Sequence, residues 1–150
     1  ISNANHEYLN ELKNYCSKEN ISKNITWAGF LPTQNDVHKE ASKAKISVLP
    51  THYDMIPGTI IESMFLKIPV ISYRTGSIPE INANGIFVKL IEKNDIDGLA
   101  NAINELITNK ERRIEMAEKG YFRAKEMFGE SEVKKDIISA YNTIISDFNS

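Results

Sequence analysis

The apolar positions in the middle of the chain form short unbroken runs with a helical stretch between them. One run is Ile46–Leu49, which is stopped by Pro50, and the other is 70–71. Such runs are typical of strands buried on both faces of a parallel sheet. Between them Pro57-Gly58-Thr59 opens a stretch with apolar residues at helical spacing, which must end before Pro69. The pattern predicts a strand, loop, helix and strand crossover. In open parallel sheets, ligands bind beyond the carboxyl ends of the strands.

The flanking segments predict further elements on the same grounds. Asp95 and Ser131 are the expected caps of two C-terminal helices, Thr33 or Asn35 caps an earlier one, and the Asn84-Gly85 turn introduces a strand. The apolar spacing predicts helices over 6–20, 33–44, 96–107, 114–128 and 133–148, and strands over 25–28 and 86–88.

Composition narrows the class of protein. With 150 residues, 41% hydrophobic and 25% charged, the chain has the make-up of one soluble globular domain. The net charge of -2 argues against a nucleic-acid-binding surface, and no apolar run approaches the ~20 residues that span a bilayer. One cysteine excludes an internal disulfide and fits a reducing compartment. No signal peptide is recognisable, and because the first residue is isoleucine we expect a processed or excised piece.

Two acids bracket the loop and the first helical turns at the predicted ligand edge. Asp54 and Glu62 lie eight positions apart, one before and one after the start of the helix. The free N–H groups of a helix start are a ready site for an anion. His52 and Asp54 lack a further ligand cluster, so no metal site is predicted. His38 falls on a polar helix face and is expected to be a bystander, while for Glu80 structural bracing and ligand contact stay equally open.

Several sequence pieces occur together in a family-like order. They are Ile-Thr-Trp-Ala-Gly at 25–29, Ile-Ser-Val-Leu-Pro at 46–50, the acids Asp54 and Glu62, Pro-Val-Ile at 69–71, and Thr-Gly-Ser-Ile-Pro-Glu at 75–80. This ordered set, within residues 25–128, resembles the C-terminal, nucleotide-sugar-binding domain of retaining family-four glycosyltransferases, which have the GT-B architecture.

The resemblance implies a fold. It is an α/β fold with a Rossmann-like parallel sheet, flanking helices and a helical C-terminal tail. Residues 1–150 would form a single, truncated donor-binding domain without its first strands. In the family's strand order 3-2-1-4-5-6, the missing strands would lie between 25–28 and 46–49 and leave a gap.

The resemblance also implies roles for particular residues. Glu62 would hold the ribose hydroxyls of the donor nucleotide, and Asp54 would be the catalytic-site acid that faces the donor sugar. Asp54 stands where the family usually has Glu, and Met55 where it often has Gly, which leaves the donor's identity open. The other expected donor-binding residues are Pro57, Gly58, Thr59 and Ile60 near the sugar and diphosphate, and Phe30, Leu31 and Pro50 near the base.

The activity so implied is transfer of a hexose-type sugar, with retention, from a nucleoside diphosphate sugar to a saccharide or lipid-linked acceptor. The donor is expected to be a UDP-sugar, with no cofactor and no metal. The family's basic residues and its acceptor-binding N-terminal domain would lie upstream of this sequence. Residues 1–150 alone are therefore expected to be inactive. The expected setting is bacterial polysaccharide assembly in the cytoplasm, with peripheral association at the inner face of the membrane. Two alternatives stay open, a non-catalytic interaction module of the same fold and a nucleotide-sugar epimerase.

Overall fold

The computed structural model describes residues 6–55, 57–82 and 87–148, and the chain separates into two compact units, Ile1–Val37 and His38–Ser150. The first unit contains helix α1 (His6–Lys18), whose buried side chain is Cys16, and a 3-10 turn at Ser22–Asn24. The Lys13 ammonium lies 5.9 Å from the centre of the Trp27 ring, a cation–π contact within this unit.

The strand predicted over 25–28 was wrong. Residues 25–30 run from the 3-10 turn towards helix α2 (Gln34–Ala41) without belonging to a strand. A strand needs a neighbour to take its N–H and C=O groups, and the described part of the first unit supplies none. Helix α2 begins as predicted after Thr33, whose Oγ1 accepts a hydrogen bond from the Asp36 amide at 3.2 Å.

The second unit is built on a parallel three-stranded sheet. Its strands β1 (Ser47–Leu49), β2 (Val70–Tyr73) and β3 (Val88–Ile91) lie in that order, and Val48 faces Ile71, which faces Lys89. The order agrees with the predicted crossover. The central strand β2 is buried throughout, as predicted, whereas β1 is an edge strand among the described residues, and Val48 is 38% exposed. The prediction that 46–49 is buried on both faces was therefore wrong.

Helices cover both faces of the sheet. Helix α3 (Gly58–Phe65) and the short helix α4 (Ile78–Asn82) contribute to one apolar cluster, together with Val70 and Val88. Helix α5 (Ile96–Thr108) contributes to a second cluster around Ile71 and Tyr73. Because side chains alternate along a strand, these two clusters lie on opposite faces of β2. The result is a Rossmann-like three-layer arrangement, as predicted.

The C-terminal part is helical, as predicted. Helix α6 (Lys110–Phe128) packs against α3, and helix α7 (Glu130–Phe148) follows after Gly129. Asp95 caps α5 as predicted, its Oδ1 accepting from the Gly98 amide at 2.8 Å. Ser131, the predicted cap of the last helix, lies inside the first turn of α7 instead.

The predicted strand over 86–88 lies partly outside the described residues. Ile86 and the Asn84-Gly85 turn are not among them, and β3 begins at Val88. The amides of Phe87 and Val88 donate to Asn82 Oδ1 at 3.0 and 2.9 Å, so the Asn82 side chain helps to hold the start of β3, where Val88 also pairs with Val70 of β2.

Candidate functional site

The first turn of α3 packs against the core on one side and is exposed on the other. Pro57, which is buried, supplies the carbonyl that accepts from the Ile60 and Ile61 amides at 2.9 and 3.1 Å. Ile60 is fully buried in the core, which fixes the first turn to the sheet. Gly58 and Thr59 are exposed, and a Cβ built on Gly58 meets no atom within 4 Å. The first turn can therefore be approached from outside the protein.

The N-cap residue of α3 contributes no capping side chain. Pro57 at the N-cap makes no side-chain hydrogen bond, and proline has no amide hydrogen to offer. The positive end of the α3 dipole therefore lies at the carboxyl edge of the sheet, and its N-cap residue adds no side-chain cap. This is the arrangement that favours a bound anion.

Glu62 lies one turn into α3 and keeps much of its side chain accessible. Its Oε2 atom is 3.6 Å from Nε2 of His38, on α2, and the Glu62 side chain is 44% exposed. Ser63, next in the chain, donates from its hydroxyl to the Thr59 carbonyl at 2.7 Å and lies 3.0 Å from the Ser47 hydroxyl. The helix that carries Glu62 is therefore tied to β1. The His38 ring thus contacts the carboxylate expected to bind the ribose, and the expectation that His38 is a functional bystander stays a prediction.

Asp54 is half-buried in the loop 51–55 that follows β1. The Ser77 amide, in the turn that follows β2, donates to the Asp54 carbonyl at 3.2 Å. Two neighbouring strand ends thus meet at the loop that carries this acid, as the parallel topology requires. The sequence did not identify Ser77 as a contact of this loop, although a Ser in a turn at a strand end is a recognisable local signal.

A small apolar pocket lies beside the loop. It has a volume of about 260 Å³ and is lined by residues that include Met55, Pro57, Ile61 and Phe128, with Glu80 of α4 also contributing. Glu80 is exposed, and whether it braces the structure or contacts a ligand stays open.

The structure places most of the predicted site residues together. The exposed Pro50 directly follows β1, and the loop, the start of α3 and the half-exposed Glu62 continue from the same edge. Phe30 and Leu31 belong to the first unit, where Phe30 is 72% exposed. The roles of all these residues stay predictions. They are Asp54 at the sugar, Glu62 at the ribose, Pro57, Gly58, Thr59 and Ile60 at the diphosphate, and Phe30, Leu31 and Pro50 at the base.

The chemistry of the site is that of acids and main-chain amides. Across residues 6–55, 57–82 and 87–148, no group of three or more His, Cys, Asp or Glu side chains is placed to hold a metal ion. Among the helices that the structure describes, none combines the length and hydropathy needed to cross a membrane.

Resolved pKa shifts lie on the C-terminal helices. The pKa of Glu115 is lowered by hydrogen bonds from Lys119 and Arg112, and that of Glu132 by a hydrogen bond from Lys135. The same pair raises the pKa of Lys135. These are exposed ion pairs on helix surfaces, which contribute little to stability.

A parallel sheet between helices, with acids and an open helix start beyond its first strand, is the architecture of the C-terminal domain of GT-B glycosyltransferases. The family of glycosyl transferases group 1 matches residues 5–123, and the chain belongs to this family.

Solved structures share the fold. One is the C-terminal domain of a glycosyl transferase group 1 family protein (LpcC) from Francisella tularensis, with a TM-score of 0.74 and 23% identity, covering 81% of this chain and 63% of that chain. Another is Anabaena HepE in complex with UDP, with a TM-score of 0.82 and 19% identity, covering 92% of this chain and 37% of that one.

Curated relatives are glycosyltransferases. The capsular polysaccharide biosynthesis glycosyltransferase CapM of Staphylococcus aureus is 29% identical over 103 residues, 68% of this chain and 27% of its own length. N-acetyl-alpha-D-glucosaminyl L-malate synthase of Bacillus anthracis is 29% identical over 118 residues, 79% of this chain and 30% of its length. An Escherichia coli UDP-Gal:alpha-D-GlcNAc-diphosphoundecaprenol alpha-1,3-galactosyltransferase is 31% identical over 111 residues, 69% of this chain and 26% of its length. The chain spans less than a third of each relative.

Proposed function

We propose that this chain is the donor-binding part of a retaining glycosyltransferase that moves a hexose from a nucleoside diphosphate sugar to a saccharide or lipid-linked acceptor. The observation that carries the proposal is the placement of Asp54 and Glu62 on either side of the open α3 start, at the carboxyl edge of β1. Membership of the glycosyltransferase family supports the same activity.

Glu62 is proposed to bind the ribose of the donor. A carboxylate accepts two hydrogen bonds at once from a vicinal diol, and the accessible Glu62 side chain stands on a helix tied to the sheet. A rigid support matters, because ordering a mobile side chain would reduce the affinity gained.

The diphosphate is proposed to lie against the first turn of α3. The main-chain amides of this turn would offer hydrogen bonds to an anion, and Gly58 is exposed and adds no side chain in front of them. The same amides would stabilise the diphosphate as the leaving group when the bond to the sugar breaks. Asp54, in the loop next to this turn, would contact the sugar itself, while Phe30, Leu31 and Pro50 would contact the base.

The base is proposed to be uracil. The Anabaena neighbour of the same fold was solved with UDP, which makes UDP-sugars the first donors to test. We further propose a cytoplasmic enzyme of polysaccharide assembly, a setting that the name of the staphylococcal relative supports.

Calorimetric titration of the full chain with UDP, GDP, ADP and their sugars tests the proposal. One diphosphate should bind selectively, and Glu62→Ala should weaken it by more than about 1 kcal/mol through the lost ribose hydrogen bonds. Glu111→Gln, which changes an exposed carboxylate on α6, is the matched control and should bind as wild type does. A folded wild-type chain that binds no nucleotide would overturn the transferase and leave a non-catalytic module. Conversion of a UDP-sugar into its epimer without an acceptor would establish the epimerase instead.

The 150 residues alone are proposed to be inactive in transfer, because Asp54 and Glu62 serve only the donor side of the reaction. A radiolabelled-sugar transfer assay on this chain checks the point, and any acceptor-dependent product would contradict it.

A further inference from the structure

The turn 75–77 is bound to the loop 51–55 at three points. The Ser77 amide donates to the Asp54 carbonyl at 3.2 Å, and the Ser77 hydroxyl donates to the Met55 carbonyl. The Thr75 hydroxyl donates to the Thr51 carbonyl at 3.3 Å. Each of these three hydrogen bonds ends on a main-chain oxygen of the loop.

Gly76 brings the two segments into direct contact. Its φ angle is +51°, in the left-handed region, and a Cβ at this position would lie 1.8 Å from the Asp54 carbonyl oxygen. That atom is backbone and cannot turn aside as a flexible side chain would. A side chain at 76 therefore requires the turn and the acid-bearing loop to move apart.

The turn is the fixed partner of the two. It follows the fully buried strand β2, where the Ser72 hydroxyl donates to the Leu49 carbonyl at 2.6 Å. The Arg74 amide donates to the Ile91 carbonyl at 2.8 Å, and the turn then runs into fully buried Ile78. The loop 51–55, by contrast, consists of exposed and half-buried residues beyond an edge strand. The hydrogen bonds therefore hold the loop to the core.

We propose that Thr75, Gly76 and Ser77 form a clamp, the 75–77 clamp, that positions Asp54 against the donor sugar. They act through the main chain of the loop and do not touch the reacting atoms. The inference rests on the proposed function, in which Asp54 contacts the sugar and Glu62 the nucleotide.

The clamp should affect binding of the sugar without affecting binding of the nucleotide, which is not expected of an ordinary structural turn. The nucleotide is bound from α3, which has its own ties to β1 and the core, whereas the sugar is bound from the clamped loop. Loosening the clamp should therefore reduce the extra affinity for a UDP-sugar over UDP, and leave the affinity for UDP itself unchanged. In transfer by the longer enzyme of which this chain is proposed to be the donor-binding part, a misplaced sugar contact should reduce kcat more than it raises KM.

The test uses Ser77→Ala and Gly76→Ala in the full chain, with Ser77→Thr as the conservative variant that keeps the hydroxyl. Ligands are UDP, UDP-glucose, UDP-galactose and UDP-N-acetylglucosamine, and the sugar that wild type prefers serves as the probe. Ser77→Ala should lose about fivefold of the preference for that sugar over UDP, the effect of one hydrogen bond. Ser77→Thr should recover it. If Ser77→Ala binds both ligands as wild type does, the positioning role is overturned.

A ligand-free measurement separates this inference from the proposed function. Backbone ¹⁵N relaxation of residues 51–55 should show rigid order parameters in wild type and Ser77→Thr, and a clear drop in Ser77→Ala and Gly76→Ala. Unchanged order parameters in both variants would overturn the clamp, whether or not nucleotides bind. Lack of nucleotide binding by wild type, with a rigid loop, would overturn the proposed function alone. Should Gly76→Ala fail to fold, Ser77→Ala carries the test.

Discussion

Gly58→Ala separates the fold of this protein from its proposed function. The substitution adds one methyl group to the first residue of α3. In a helix the Cα–Cβ bond tilts towards the N-terminus, so the methyl projects into the space where the donor diphosphate is proposed to lie. Apart from the adjacent residues and the backbone of the same helix, no atom of the described residues lies within 4 Å of this position, and the φ of Gly58 lies outside the left-handed region.

The expected effects on folding and on binding have opposite signs. Replacing glycine by alanine at a compatible backbone position stabilises a protein by about 0.4–1 kcal/mol, because the unfolded chain loses freedom. A diphosphate kept away from the α3 amides loses at least one hydrogen bond to a charged group, a contribution of about 1.5–3 kcal/mol. The affinity for UDP should therefore fall at least about tenfold while the free energy of unfolding stays equal or rises.

Urea unfolding and calorimetric titration of UDP give the two quantities. Gly120→Ala is the matched control, because its new Cβ makes ordinary contacts of 3.5 Å with Met64 Cγ and the Phe87 carbonyl oxygen, within the α3–α6 packing. It should leave UDP affinity unchanged. If folded Gly58→Ala binds UDP as tightly as wild type, the diphosphate does not lie at the α3 start and the reasoning fails.

Three further predictions concern stability and protonation. Ile60 lies in the core next to the site, and Ile60→Ala should lower the free energy of unfolding by about 2–5 kcal/mol, measured by urea unfolding. Ile60→Val should lower it by about 0.5–1.5 kcal/mol. Equal losses in the two variants would argue against close packing around Ile60. Ser72→Ala should cost about 1–3 kcal/mol in the same assay, since the Leu49 carbonyl loses its buried hydroxyl donor, and no loss would mean that water replaces it. NMR titration of Glu115 should give a midpoint below the ordinary carboxyl value that rises in Lys119→Ala. Folding lowers the pKa of Glu115, so its ion pair stabilises the folded protein at pH values above the pKa of the unfolded state. This contribution is lost as the pH falls through the pKa of the folded state. An unshifted midpoint would contradict the ion pair.

The central crossover was predictable because its signals are local. Pro57 and Pro69 mark where α3 begins and where it must already have ended, and the apolar residues between them have helical spacing. The buried strand β2 followed from an unbroken apolar run. The parallel crossover could be inferred from these features alone, whereas the Rossmann-like fold class was implied by the family resemblance.

Features that depend on distant neighbours were not predictable in the same way. An apolar run does not show whether its strand is central or at an edge, so the exposure of Val48 was missed. The run at 25–28 has strand-forming residues but no partner among the described residues of its unit. The contact of His38 with Glu62 joins two helices that are separated by a strand in the sequence. Hydrophobic periodicity contains no information about such pairs.

All three hydrogen bonds of the 75–77 clamp end on main-chain oxygens of the loop 51–55, and this affects how the sequence of the loop can change. Since Ser77 and Thr75 bind carbonyl oxygens, the loop they hold can exchange its own side chains without losing its place. Tyr53 and Met55, both largely exposed, are thus free to vary independently of the fold. If Asp54 contacts the donor sugar as proposed, exchanging side chains of this loop one at a time should change donor preference while the backbone geometry is retained.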